Sequence, residues 1–501
     1  MSRHSDDPIS GLNCTRLFKS TVAVVSFLIL ELLLCVFSST LARSETMGAP
    51  SYPPIIFVEA PLVTAGRLML RFPQGSHLAR IEPGAQATSA VNLTPGFFAV
   101  ADPQVSFDAT KVLFAGKKEP NSTWQIWEMN VDGSDKHQLT HCSADCFQPA
   151  YLPQHRIVFT MAAGKGVQKT TAIYVSEENG ADAHPITFGP GNFQVETVLQ
   201  SGRILVSANS PLAAANTRGK SRALYTIRPD GSGLSLFRPG TQGHIVPTGA
   251  TELEDGTVLF VKRHEVAGHS TDGQLAWVRP GALHNSVITT PNSVYWSVHL
   301  LDGNRVVAAR ADSASTVKTG KFGLYVFNLD TKSIEKTLYR NPEFSSVQAV
   351  PLEPHPVPLY YWSILHPDWN YGRVVCLNSY LSADAPNGRL PGNIAQVRVI
   401  ALQPDHRTEQ ILGEAPVESD GSFYIKVPAD HPVRFELLSP KGAVIHAQKS
   451  WIWARPGEDV PCLGCHESKV LVPADNWPLA LRRQAGPIPV GMPLTTRSAN
   501  H

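Results

Sequence analysis

Two neighbouring segments, "SFDATKVLFAG" (residues 106–116) and "WQIWEMNVDGSDKHQLT" (residues 124–140), decide the fold class. Each combines a short apolar run, rich in aliphatic, β-branched or aromatic residues, with a polar turn. The Asp-Gly pair in the second segment supplies the positive φ angle that a tight hairpin turn needs. This alternation of short apolar runs and turns predicts antiparallel β-sheet and no helix.

The same pattern recurs in four further copies along the middle of the chain. Its turn positions are separated by 46, 47, 54 and 47 residues, and they are Asp108, Gln154, Ser201, Asp255 and Asp302. A period of 40–50 residues with about four strands per unit is typical of a propeller blade. An additional N-terminal unit, "PPIIFVEAPLV" (residues 53–63) followed by "GRLMLRFPQGSHLARI" (residues 66–81), predicts a sixth blade.

The repeat gives way to a proline-rich stretch, "PLEPHPVPLYYWSILHPDWNYG" (residues 351–372), after which further short strands are expected. We therefore predict an all-β protein with a six-bladed WD40-like propeller and a small β-sandwich. The boundaries expected are 50–365 for the propeller, 366–455 for the sandwich and 456–501 for a C-terminal tail.

The first 42 residues have the layout of an export signal. Basic residues precede the apolar run "TVAVVSFLILELLLCVF" (residues 21–37), and "TLA" (residues 40–42) offers small residues for cleavage. An uncleaved membrane anchor is the alternative, but Glu31 within the run disfavours a stable span. We expect an exported protein, in the periplasm of a Gram-negative-type bacterium, with membrane contact only if this segment is retained.

Charge gives little support for a nucleic-acid partner. The chain has 43 basic and 42 acidic residues, which leaves a formal net charge of +1. No basic run interleaved with aromatic residues appears in the sequence, as nucleic-acid binding would require.

The chemical signal is "CLGCH", Cys462 to His466, a C-x-x-C-H sequence. Such a motif attaches haem c through two thioethers, and its histidine becomes an axial ligand of the iron. A thioredoxin-like pair would need an α/β fold, a zinc site would need two further ligands, and a simple disulfide is the third alternative. The residues favour covalent haem c held by Cys462, Cys465 and His466.

Two resemblances to known families follow from these segments. The repeats, "MNVDGSDKHQLT" above all, resemble the WD40-like repeats of TolB-type propellers. The stretch "DGSFYIKVPADHPVRFELL" with "SWIWARPGEDVPCLGCHES" is similar to the middle domain of the hydrazine synthase alpha family. That family pairs a propeller with a small β domain that ends in C-x-G-C-H-E.

The chain also departs from the family. There the motif histidine is diverted to zinc, and a tyrosine four residues later binds the iron; here that position is Val470, so His466 is expected to ligate iron. Only 35 residues follow His466, fewer than the family's second haem domain needs. The resemblance thus implies a haem c protein of periplasmic electron transfer or redox catalysis, with a redox partner protein, and not hydrazine synthesis itself. The alternative is a non-enzymatic propeller scaffold for protein or glycan ligands.

Six further positions are weighed as site residues. Met492, in "PVGMPLT", is a weak candidate for the distal iron ligand, and His446 and His501 are weaker ones. Arg455 is expected to pair with a haem propionate or with Glu458. Cys142 and Cys146 would form a loop disulfide or a metal site, since a propeller cysteine serves zinc in the hydrazine synthase family; the disulfide is favoured.

Overall fold

A computed structural model describes residues 52–61, 72–84, 89–163, 170–209, 222–238, 245–266, 269–270, 273–280, 286–289, 294–311, 321–404, 408–464 and 477–491. The chain divides into an N-terminal unit, residues 1–52, and a unit of residues 53–501 that holds all the strands below. None of the helices in the described ranges is long and apolar enough to cross a membrane.

The propeller strands follow one another in chain order. Blade 1 contains β1 (Ile55–Ala60), β2 (His77–Ile81) and β3 (Val91–Asn92); blade 2 contains β4 (Ala99–Val105), β5 (Lys111–Lys117), β6 (Gln125–Asn130) and β7 (His137–Gln138); blade 3 contains β8 (Cys146–Leu152), β9 (Arg156–Ala163), β10 (Thr170–Glu177) and β11 (His184–Pro185). Blade 4 contains β12 (Gln194–Val198), β13 (Ile204–Asn209), β14 (Arg222–Ile227) and β15 (Ser235–Arg238); blade 5 contains β16 (Ile245–Glu252), β17 (Val258–Val266), β18 (His269–Ser270), β19 (Gln274–Val278) and β20 (Ser286–Val287); blade 6 contains β21 (Tyr295–Asp302), β22 (Arg305–Ala311), β23 (Phe322–Asn328) and β24 (Ser333–Tyr339).

The predicted propeller fold is confirmed, and so are the turns on which the prediction rested. All five turn positions of the repeat lie at the end of, or directly after, the first strand of their blade, where the chain turns into the second strand. In blade 2, Gly133 takes a φ of 84°, and its N–H donates to the carbonyl of Asn130 at 2.9 Å. A side chain is disfavoured in this region of φ, which explains the Asp-Gly pair.

The ring is closed by a strand from the far end of the propeller sequence. β25 (Ser345–Pro351) pairs antiparallel with β1 and becomes the innermost strand of blade 1. The six innermost strands then contact one another in sequence around the axis, and the last contact, β25 against β4, completes the circle. Two distant parts of the chain therefore share one blade, which removes an open sheet edge.

The proline-rich segment crosses the propeller as an extended strap. Backbone N–H groups of Leu352, His355 and Leu359 donate to carbonyls of Pro54, Phe107 and Gln200 at 2.7–3.0 Å. Between Leu352 and Asn370 the strap contains no helix or strand. It leads from the closing strand to the second sheet system.

That second system is a sandwich of two four-stranded sheets. Its strands are β26 (Tyr371–Cys376), β27 (Gln396–Leu402), β28 (Glu409–Pro416), β29 (Phe423–Pro428), β30 (Val433–Leu438), β31 (Val444–Ala447), β32 (Asp459–Cys462) and β33 (Ile488–Pro489). The sheet orders are β32-β26-β29-β33 and β28-β27-β30-β31. Short 3₁₀ helices occur at Pro386–Gly388 and Leu479–Arg482.

The two sheets enclose one apolar core. Val374 and Ile425 from the first sheet pack against Val399 and Leu437 from the second, and all four are fully buried. Along β26, buried and half-buried residues alternate, so that one face points into the core. This is the period of two expected for a strand with one buried face.

Candidate functional site

The cysteine motif begins at the edge of the sandwich. Cys462 is the last residue of β32, an edge strand that runs parallel to β26. Its carbonyl accepts a hydrogen bond from the N–H of Leu377 at 2.9 Å, and its side chain is half-buried. Cys465 and His466 lie outside the described residues, as do Val470 and Met492. The thioether positions and the iron ligands therefore stay predictions.

Gly464, between the two cysteines, packs directly on a neighbouring loop. A Cβ atom at this position would lie 2.3 Å from the carbonyl oxygen of Leu381, closer than any real contact. The motif can therefore follow this path only with glycine at its third position. Cys462 borders the sandwich core, but it lies on an edge strand and its side chain is only half-buried, so a porphyrin could be attached from the open edge of the sheet. The described half of the motif fits covalent haem c.

A tryptophan anchors the segment before the motif to the propeller. Trp453 is 6% exposed and packs edge-on against Phe193 and Phe188, with ring centroids 5.5 and 6.0 Å away. Both phenylalanines lie in the connection between blades 3 and 4. The aromatic cluster fixes the sandwich to this side of the propeller, because such buried ring pairs add to the free energy of area burial.

Arg455 lies at the same junction, and its guanidinium pairs with Asp430 and not with the carboxylate of Glu458. The guanidinium makes an ion pair with Asp430 at 3.0 Å and stacks over Phe188 at 5.2 Å. Burial raises the pKa of Asp430, and the charge of Arg455 opposes this shift. Pairing of Arg455 with a haem propionate stays a prediction, and a propionate would have to compete with Asp430.

Glu458 contacts Arg455 only through the backbone. Its carboxylate accepts the N–H of Arg455 at 2.8 Å and the N–H of Gly233, in blade 4, at 2.7 Å. Burial raises the pKa of Glu458, while these two donors act in the opposite direction. The carboxylate thus joins the start of the motif segment to the propeller.

Cys142 lies in the connection between blades 2 and 3 and contacts Cys146, the first residue of β8. Gln125 holds Cys142 by accepting its N–H at 3.0 Å and donating to its carbonyl at 2.8 Å. A hydrogen bond from the Cys146 thiol lowers the pKa of Cys142 to about 7, whereas the same contact and burial raise that of Cys146. A cavity of about 290 Å³ opens on Cys142 and is also lined by Lys118, Trp127 and His141.

The pair is positioned for thiol chemistry, and the disulfide between Cys142 and Cys146 stays a prediction. Among the described residues, no group of three or more His, Cys, Asp or Glu side chains is arranged to hold a metal ion. The described part of the chain therefore offers no third ligand for the alternative metal site at Cys142 and Cys146.

The central channel was not foreseen from the sequence. Each innermost strand carries a β-bulge at an equivalent position, and the bulge residues are Asp102, Gln148, Glu196, Gly249, Trp296 and Gln348. The bulges direct backbone N–H groups toward the neighbouring blade. The only local signal in the sequence is the polar residue before proline in "ADPQ" and "FQPA".

Hydrogen bonds connect these bulges from blade to blade. Gln348 accepts the N–H of Asp102 at 2.9 Å and donates to its carboxylate at 2.7 Å, and the same carboxylate accepts the N–H of Gln148 at 3.1 Å. Glu196 similarly accepts the N–H of Gly249 at 3.1 Å. The polar side chains therefore lie between neighbouring blades along the channel and accept hydrogen bonds from backbone N–H groups that the bulges leave unpaired.

The channel encloses about 440 Å³ and contains an acid that titrates near neutral pH. Burial raises the pKa of Glu196 to about 7, although the Ser207 hydroxyl donates to it at 2.5 Å. Arg263 lies over the ring of Trp296, 4.9 Å from its centroid, on the channel wall. This arrangement can hold a small polar molecule and exchange a proton at Glu196.

Comparison with known proteins connects the sandwich to one family. The family profile described as "Hydrazine synthase alpha subunit middle domain" matches residues 395–467, which include Cys462, Cys465 and His466. This stretch of the chain is similar to that domain. The resemblance predicted from the sequence is confirmed.

Longer matches agree with this assignment. Hydrazine synthase subunit alpha of Kuenenia stuttgartiensis is 22% identical to this chain over an alignment of 547 positions. The alignment covers 82% of this chain and 65% of that protein. The solved structure of Kuenenia stuttgartiensis hydrazine synthase superposes with a TM-score of 0.72 at 20% identity, over 86% of this chain and 71% of its own. The chain thus shares the fold of that structure and spans less than two thirds of the length of the curated relative.

A more distant structure is the TolB protein of Acinetobacter baumannii. It is 12% identical, covers 59% of this chain and 66% of its own, and superposes with a TM-score of 0.43.

Proposed function

We propose that this chain is an exported haem c protein that works in periplasmic electron transfer or redox catalysis. The observation that carries the proposal is the position of the C-x-x-C-H motif. It starts at the half-exposed end of edge strand β32, inside the stretch that matches the hydrazine synthase alpha middle domain. The export-type N-terminal segment agrees with it, because thioether formation to haem takes place outside the cytoplasm.

Three residues would hold the group. Cys462 and Cys465 would form the thioethers, and His466 would face the iron through one ring nitrogen. Bound haem c would supply a one-electron couple. The chain's own part is to fix the motif: Gly464 lies against Leu381, and the segment before the motif is attached to the propeller through Trp453 and Glu458. Met492 would be a weak candidate for a second ligand of the iron.

The proposal does not include hydrazine synthesis. The relative's name identifies an alpha subunit, so we propose that this chain also works with a partner, a redox protein that exchanges electrons with the haem. Val470 offers no donor atom where the family has its iron-binding tyrosine, so the ligand arrangement of that family is not proposed here.

The test is haem loading of the exported protein. Full-length chain produced with a cytochrome c maturation system should gain the mass of one haem, stain for haem on a denaturing gel and give a pyridine haemochrome spectrum. A Cys462→Ala/Cys465→Ala variant should lose all three signals. Wild-type protein that is exported and folded with only its apo mass would overturn the proposal and favour the non-enzymatic scaffold.

A further inference from the structure

Cys376 occupies the register position directly beside Cys462. In the parallel pair β26–β32, Arg373 is matched with Asp459, Val374 with Val460, and Cys376 with Cys462. Register partners on adjacent strands point to the same face of the sheet. Both cysteines pack with the sandwich core, Cys376 as a buried member that is 1% exposed and Cys462 as a half-buried one.

Contacts on the opposite face confirm this register. Arg373 forms an ion pair with Asp459 at 2.6 Å, and the Tyr424 hydroxyl donates to the same carboxylate at 3.1 Å. These side chains alternate with the inward-facing ones, as the pleat requires. A shift of one residue would break the ion pair and turn Cys462 away from Cys376.

The separation suits a covalent bond between the sulfurs. Adjacent strands lie about 4.8 Å apart, and the Cα atoms of disulfide-bonded cysteines are usually about 4.4–6.8 Å apart. We propose that Cys376 forms a disulfide with Cys462 in the haem-free protein and thereby withholds that thiol from thioether formation. This inference rests on the proposed haem attachment for its consequence, but not for the bond itself.

The reaction balances with a small-molecule disulfide as oxidant. The half-buried Cys462 thiolate, at the end of edge strand β32, attacks the oxidant, and one thiol leaves. The Cys376 sulfur then attacks Sγ of Cys462, and the second thiol leaves. Two protons and two electrons pass from the cysteine pair to the oxidant, which becomes two thiols. A reducing thiol reverses both steps and returns Cys462 to the motif.

The burial of each cysteine determines which of the two reacts with the oxidant and which completes the disulfide. Cys462 is half-exposed and can meet a reagent, while Cys376 is enclosed by the core and can reach only a neighbour. Cys465 is the competing partner, because oxidation within the motif would join Cys462 to Cys465 instead. The two outcomes give different linked peptides, so they are distinguishable.

The first experiment needs no haem. Full-length wild-type protein, made without the maturation system, would be treated with oxidised glutathione and digested without reduction. The peptide linking Cys376 to Cys462 should dominate in the mass spectrum and disappear in Cys376→Ala. Linkage of Cys462 to Cys465 alone, with Cys376 recovered as a thiol, would overturn the proposal.

The second experiment measures the consequence for haem. With the maturation system present but no added reductant, Cys376→Ala should carry at least twofold more covalent haem per chain than the wild type. The matched control is Val375→Ala. Val375 directly precedes Cys376 on the same strand, and its side chain points to the other face, so this variant should load haem like the wild type. Equal loading of all three would overturn the withholding role. If neither the wild type nor any variant carries haem, the proposed function is wrong. The peptide map would then still test the disulfide by itself.

Discussion

The Glu458 carboxylate accepts the backbone N–H of Gly233 at 2.7 Å, which links the segment before the cysteine motif to blade 4 of the propeller. Glu458 is 8% exposed and also accepts the N–H of Arg455. One buried side chain thus satisfies two backbone donors, one from each part of the molecule. The orientation of the motif relative to the propeller depends on this contact.

Glu458→Ala should lower the free energy of unfolding by about 2–3 kcal/mol, because it leaves two backbone donors without their acceptor in a buried position. Glu458→Gln keeps one oxygen acceptor and should cost less. Glu254→Gln, at an exposed position of the blade 5 turn, is the control and should change stability by less than about 0.5 kcal/mol. Denaturant unfolding measures all three, and equal midpoints for Glu458→Ala and the control would contradict the role of this carboxylate.

Gly464→Ala should destabilise the sandwich by about 1–3 kcal/mol, because the added Cβ would be forced against the carbonyl oxygen of Leu381. Haem loading should fall with it, since the path between the two cysteines changes. Gly303→Ala is the matched control: no heavy atom lies within 4 Å of a Cβ at that position. Thermal unfolding and haem stain would be compared, and a Gly464→Ala protein that behaves like the control would contradict the close packing of the motif.

The propeller was readable from the sequence because its signal is local. The turn after each first strand, such as the one at Asp108, needs only a few adjacent residues, and their spacing gives the blade period. Closure was not readable in this way, since β1 pairs with β25, whose first residue is 285 positions after the end of β1. No local pattern marks Ser345–Pro351 as the partner.

The site shows the same division between local and long-range information. The spacing of Cys462, Cys465 and His466 is local and identifies a chemistry. The partner of Arg455 is Asp430, and the neighbour of Cys376 is Cys462; both pairings arise from sandwich packing and strand register. The bulges of the channel are likewise set by contacts between blades, so the sequence alone could not locate Glu196 there.

Stability should depend on pH through Glu196. The folded-state pKa is raised to about 7 from the ordinary 4.5, so the folded protein binds the proton more tightly than the unfolded chain. The contribution is therefore fully present below pH 4.5 and is lost as pH rises through about 7, roughly 3 kcal/mol in total. Glu196→Gln, which keeps an acceptor for Gly249, should remove that part of the slope. Parallel curves of melting temperature against pH for the two proteins would contradict the raised pKa.

His466→Ala should retain part of the covalent haem but lose the signature of histidine ligation. The two thioethers attach the porphyrin and leave the metal to another donor, which we expect to be the His466 ring. Its second ring nitrogen should donate to a carbonyl or carboxylate, as ligating histidines usually do. Resonance Raman spectra of both proteins test this expectation. A tyrosinate signature in the wild type, or an unchanged spectrum in the variant, would show that another side chain binds the iron.

In the reduced protein, Cys142 should be the more readily alkylated of the two propeller cysteines. The hydrogen bond from Cys146 lowers its pKa to about 7, and it lines an open cavity, whereas Cys146 is buried. At pH 7.5 we expect iodoacetamide to modify Cys142 at least tenfold faster than Cys146, because the thiolate is the reactive form.

The variant Cys146→Ala tests whether Cys142 is reactive because of the hydrogen bond from Cys146 or only because its own side chain is accessible. Without the Cys146 donor, the pKa of Cys142 should return toward 9, and its alkylation at pH 7.5 should slow by roughly tenfold while the cavity stays open. Peptide-resolved alkylation rates between pH 6 and 10 would place the midpoint near 7 in the wild type and well above it in the variant. If both proteins titrate at the same pH, the two thiols do not interact, and the predicted disulfide between them loses its geometric support.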